Sequence, residues 1–151
     1  MLPTTAMALF CEDIREEKGE VVTLVGVLPD TLNLETGEGA TIEPGQKFLA
    51  KLCLYVRINF DPDFPLKPPH IRLVLPKEEI LSVGEIGADV VEKAKSDAKA
   101  RGHLLAGVIS RAVLIGFRPP DGTAKVEVEI NGETYLAGAL TFMLNKQKSS
   151  T

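Results

Sequence analysis

The sequence predicts an all-β fold, an antiparallel β-sandwich of immunoglobulin-like or similar Greek-key type, with one inserted helix near residues 88–101. Three observations carry this. From Phe48 to Phe60 apolar residues occupy every second position, the period of a strand with one buried face. Runs of this kind recur along the chain between glycine- and proline-containing turns, as in a sandwich. Helical spacing is confined to Ala88–Arg101 (ADVVEKAKSDAKAR).

The elements follow in order. Ala6–Ile14 begins with consecutive apolar residues, as in a strand covered on both faces, and turns polar at Glu12, Asp13 and Arg15. Val21–Leu28 is rich in β-branched residues, and the turn between them holds Gly19, which takes positive φ at little cost, so the pair predicts a β-hairpin. Pro29–Gln46 reads as a long connection with one short strand near Ala40–Ile42. In the long strand that follows, Phe48, Leu52, Leu54, Val56 and Ile58 are assigned to the interior and Lys51 to solvent. Asp61–Pro69 (DPDFPLKPP) is a turn that neither a helix nor a central strand tolerates. Ile71–Leu75 is a strand, and Ile80–Val83 a short edge strand.

In the helix, Ile86, Val90, Ala94 and Ala98 share one face, Asp89 and Lys93 are spaced as an ion pair, and Gly102 is a C-terminal stop. A mostly alanine face predicts a thin cover on the β core. His103–Phe117 returns to strand, bent at Gly107 or interrupted near Arg111. After a turn at Pro119–Gly122, Val126, Val128 and Ile130 alternate with charged residues, and Asn131–Gly132 leads into Thr134–Leu144. An unmodified two-residue turn there would expose Leu136, Leu140, Phe142 and Leu144 together. The predicted register therefore uses a three-residue loop, Ile130–Gly132, or an equivalent bulge at Gly138.

A chain of 151 residues is one domain, assigned to residues 1–145 with a frayed tail at 146–151. Lys and Arg number 17 against 21 Asp and Glu, a net charge of -4 that excludes nucleic-acid binding through bulk positive charge. No apolar run reaches membrane-spanning length, and MLPTTAMALF lacks the charged start of a signal peptide, so no membrane role and a cytoplasmic location are expected. Cys11 and Cys53 lie within apolar strand patterns and are expected to be buried, reduced and inert.

The order Phe10-Cys11-Glu12-Asp13-Ile14-Arg15, a glycine turn, then Leu24-Val25-Gly26-Val27 resembles the opening of a widespread bacterial and phage family of small β-sandwich domains. The resemblance continues through Lys51–Ile58 (KLCLYVRI) and the closing VEVEINGE and LAGAL segments, and so covers most of the chain. It implies the fold and no particular activity, since its motifs are apolar strand patterns with a few charges.

A second, local resemblance lies in NFDPDFPLKPPHIRLVLP, where Pro62, Phe64, Pro65, Pro68 and Pro69 between two strands are similar to the proline signature of ubiquitin-conjugating enzymes. Those enzymes need a thioester cysteine after that signature. Here both cysteines precede it, no His-Pro-Asn follows, and a strand stands where the chain-initial helix belongs, so this resemblance implies at most an inactive or divergent relative.

Asp61 and Asp63, with Asp30 or Asp121, have the residue type of loop calcium ligands, although turn aspartates more often bond nearby backbone. Glu12, Asp13, Arg15, Glu16 and Glu17 form the densest charged cluster; it reads as a solvated strand end with an Asp13–Arg15 pair. A carbohydrate platform is poorly supplied, with no Trp and two Tyr. His70 and His103 are the two histidines, and no phosphate loop, dinucleotide fingerprint or nucleophile elbow occurs.

The reading that results is a non-enzymatic binding or assembly module for a protein partner or for a homo-oligomer. Its candidate binding residues are Asp13, Arg15, Asp61, Asp63 and Phe64, with no catalytic residue, metal ligand or cofactor. The alternatives are a conjugating-enzyme-like protein and a calcium- or carbohydrate-binding sandwich.

Overall fold

The computed structural model describes residues 1–19, 21–36 and 49–146. The expected strand near Ala40–Ile42, the residue Phe48 and the tail from 147 lie outside the described residues. Within them two sheets face each other. Sheet A has the order β2 (Val22–Val27), β1 (Thr5–Glu16), β4 (Leu49–Phe60) and β7 (Ala106–Phe117). Sheet B has the order β3 (Thr31–Thr36), β9 (Glu133–Lys146), β8 (Gly122–Ile130), β5 (His70–Val74) and β6 (Ile80–Glu85). The one α-helix among the described residues, α1 (Ala88–Arg101), carries the chain from the edge of sheet B to the edge of sheet A.

The period-two pattern of β4 does what it predicts: Leu52, Leu54, Val56, Ile58 and Phe60 are all buried. They meet Leu73, Val126, Val128, Leu140 and Phe142 of sheet B in a single apolar core. The sheets approach closely at Gly138, where a Cβ would stand 2.8 Å from the Ala8 carbonyl oxygen of β1.

Several expectations are corrected. β3 occupies a stretch read as connection, because Leu32 and Leu34 are its only apolar signal; both pack against the core. It runs parallel to β9, with Leu32 opposite Phe142, so sheet B is mixed and not purely antiparallel. β7 is not interrupted at Arg111: it keeps one register with β4 from Ala106 to Phe117, and His103 to Leu105 precede it. Of the predicted apolar face, Ile86 and Ala98 are buried and Ala94 packs against the core, while Val90 is exposed and Val91 is buried in its place. The helical ion pair joins Lys95 to Glu92 at 3.4 Å in place of Asp89–Lys93. Gly102 ends the helix in the left-handed region as expected, at φ 67.

The β8–β9 hairpin turns on two residues, Asn131 at φ 51 and Gly132 at φ 82, and the three-residue loop is corrected. A bulge then follows: Glu127 pairs with Leu136 but Val126 pairs with Gly138, leaving Ala137 extra. One added residue reverses the side-chain parity, so Leu140 and Phe142 reach the core as predicted. Leu136 lies on the turn side of the bulge and stays 64% exposed, against expectation.

Candidate functional site

The outer face of sheet A is the unusual surface of this molecule. Register aligns Val27 of β2, Cys11 of β1, Cys53 of β4 and Val113 of β7 in one apolar row across four strands. On one side of it lie Leu9, Tyr55 and Arg111, then Met7, Arg57 and Ile109. On the other, Val25 stands opposite Asp13 and Lys51 opposite Ile115. Met7, Val27, Val113 and Ile115 are exposed, yet Cys11 and Cys53 at the centre are 0% exposed.

The β1–β2 hairpin explains that burial. Arg111 lies opposite Tyr55, and Tyr55 opposite Leu9. A straight β1 would carry Glu16, seven residues beyond Leu9, about 23 Å further along the sheet. The Glu16 carboxylate nevertheless ion-pairs with the Arg111 guanidinium, so the hairpin end folds back over the outer face. Glu12 comes over β4, and the Cys53 thiol donates to its carbonyl at 3.7 Å. Between the hairpin end, α1 and the start of β7 runs a groove of about 510 Å³, lined by Glu16, Val22, Val90, Lys93, Ile109 and Arg111 among others.

Electrostatics tie the hairpin down. Asp13 accepts from the Lys51 ammonium, from Arg15 Nε at 3.4 Å and from the backbone N–H of Ile14 at 3.0 Å. The Lys51 hydrogen bond, ahead of the Arg15 bond, holds the Asp13 carboxyl below its ordinary range, and the same contact raises Lys51. Burial pushes the Cys11 thiol above its usual value, and the neighbouring Cys53 and Asp13 add to this. Both cysteines are unpaired and lie directly opposite each other. A buried thiol with a raised pKa is a poor nucleophile.

The other predicted residues form a separate cluster. Asp61 follows β4 and Lys51 lies near its start, ten residues or about 33 Å of extended chain away. Asp61 accepts from the N–H groups of Leu2 at 3.0 Å and Asp63 at 2.9 Å, and these bonds hold its carboxyl below the usual range. The Asp63 carboxylate pairs with Lys99 at 3.0 Å. Phe64 packs against the core. Asn131 fastens the loop to the β8–β9 turn, accepting from the Lys67 N–H at 2.9 Å and donating to the Pro65 carbonyl at 3.0 Å. These contacts make Asp61, Asp63 and Phe64 parts of a braced turn. Among the described residues no three His, Cys, Asp or Glu side chains group as metal ligands.

Sequence reasoning thus found Asp13 and Arg15 on the unusual face and missed Arg111, Tyr55, Val113 and Ile115. The available signal was β7 itself, apolar at both parities from Ala112 to Ile115. No family model matches the chain, and no curated protein matches it. Among the described residues no helix is long and apolar enough to cross a membrane.

Proposed function

We propose that the chain is a non-enzymatic, cytoplasmic binding or assembly module that engages a protein partner through the outer face of sheet A. One observation carries this reading: exposed Met7, Val27, Val113 and Ile115 share one face, where scattered single apolar residues are the norm for a surface. Asp13, Arg15, Lys51 and Arg111 supply charges around it and give a partner orientation. An enzymatic role of the conjugating kind requires an accessible thiolate, and burial of Cys11 and Cys53 speaks against it. The test is cross-linking and capture in extract of the source organism with the wild-type chain, a Val113→Asp variant and a Leu136→Asp variant. A partner lost only with Val113→Asp supports the reading. A partner lost only with Leu136→Asp, or retained by both variants, overturns it.

A further inference from the structure

The strands that end the two sheets are unequally protected. β2, β3 and β6 have six residues each. β2 is broken by Gly26 at φ 64, and β6 meets its neighbour across a bulge beside Ile71. These are the ordinary defences of a sheet edge. β7 is less defended: it runs twelve residues in one register with β4, without proline, lysine or bulge, its left-handed glycine, Gly116 at φ 65, comes one residue before its end, and its only strand partner among the described residues is β4. The groove beside α1 takes its first half, Gly107 to Arg111. The second half, Ala112 to Phe117 (AVLIGF), carries no charge. There Val113 is 50% and Ile115 82% exposed.

A row of unpaired N–H and C=O groups is completed by another extended segment, and an uncharged edge excludes a charged one. We infer that the segment is β7 of a second copy of this chain, paired antiparallel about Leu114. The two four-stranded sheets then become one continuous sheet of eight. This rests on the binding-module reading and names a partner for its edge. The register about Leu114 sets Val113 against Ile115 of the partner subunit, twice by symmetry, and the paired stretch ends short of the left-handed Gly116. Such β-branched cross-strand pairs stabilise a ladder. Centring the pair on Arg111 would instead oppose two guanidinium groups. A two-fold contact needs one surface to complement itself, and this stretch does.

The experiment is light scattering on the full chain over a concentration series, with disulfide trapping. The expected mass is twice 16.3 kDa, falling to 16.3 kDa for Val113→Lys and for Ile115→Lys with unchanged urea midpoints. An equimolar mixture of Val113→Cys and Ile115→Cys chains is expected to form a disulfide dimer faster than either alone, because the register opposes these positions. A wild-type monomer at every concentration overturns the inference, as does a dimer indifferent to both lysines. Fast trapping of Val113→Cys chains alone overturns the register. If the wild type is monomeric but Val113→Asp still loses a partner from extract, the self-pairing fails while the binding-module reading stands.

Discussion

On the outside of sheet B, Arg72 lies opposite Glu127 and binds it at 2.9 Å, reaches Glu129 at 3.6 Å and donates to Thr134 at 3.2 Å. Thr123 bonds Thr141 at 2.8 Å and His70 lies 3.2 Å from Ser82, so polar side chains on adjacent strands satisfy one another. On the outside of sheet A the central row is two cysteines between two valines, and its polar contacts sit at the margins, Asp13 with Lys51 and Glu16 with Arg111. The inner faces of the sheets are alike, while one outer face closes its polar groups against itself and leaves Leu136 and Met143 bare, and the other exposes Met7, Val27, Val113 and Ile115 around its apolar row. A sandwich needs only its inner faces to fold, so the outer faces are where sequence is available for other uses.

The largest expected effect tests whether the hairpin truly seals the centre of sheet A. Cys11 and Cys53 are expected to react with a disulfide reagent only when the structure opens, roughly a thousandfold or more slower than in urea if opening costs about 5 kcal/mol. Labelling of the native chain at the denatured rate would mean that the outer face is open at its middle.

Next in size is the claim that the two inner faces are equivalent. Leu54→Ala in sheet A and Leu73→Ala in sheet B are each expected to cost about 2–5 kcal/mol by urea denaturation, because both side chains are fully buried. A loss at one site alone would divide the core. Smaller again is the ion pair of sheet B: Arg72→Ala is expected to cost about 1 kcal/mol or less, and less in high salt, since both partners are partly solvated. A salt-independent loss would assign the effect to packing of the arginine stem.

The smallest effect is at the margin of sheet A. The folded-state pKa of Asp13 is depressed, so its contribution is present above the ordinary carboxylate value of about 3.9 and is lost as pH falls through that value toward the depressed one. The urea midpoint of the wild type is expected to exceed that of Asp13→Asn at pH 6 and to converge with it on acidification through that window. A gap that widens in acid would reverse the assignment.

Much of the fold was legible because burial imposes parity on a strand. Leu52 to Phe60 displays its inner residues on every second position, and the expected burial of Leu52, Leu54, Val56 and Ile58 holds at each of them. The bulge needed to bring Leu140 and Phe142 inward could also be anticipated, since no chain exposes so much apolar area without cause. β3 was illegible because an edge strand of six residues buries only two leucines. Asp61 and Asp63 were legible as residues of a turn; their partners, Leu2 N–H and Lys99, lie 59 and 36 positions away in the numbering.

The sequence by itself determined which segments extend, which of their faces turn inward, and that the cysteines belong among apolar neighbours, because these follow from local periodicity and transfer of apolar surface from water. Tertiary structure alone decided that β3 runs parallel to β9, that Cys11 meets Cys53, that the hairpin folds back until Glu16 reaches Arg111, and that the twelve residues of β7 end sheet A. Each of these depends on which strands become neighbours, and strand pairing is set by the joint packing of all of them around one core.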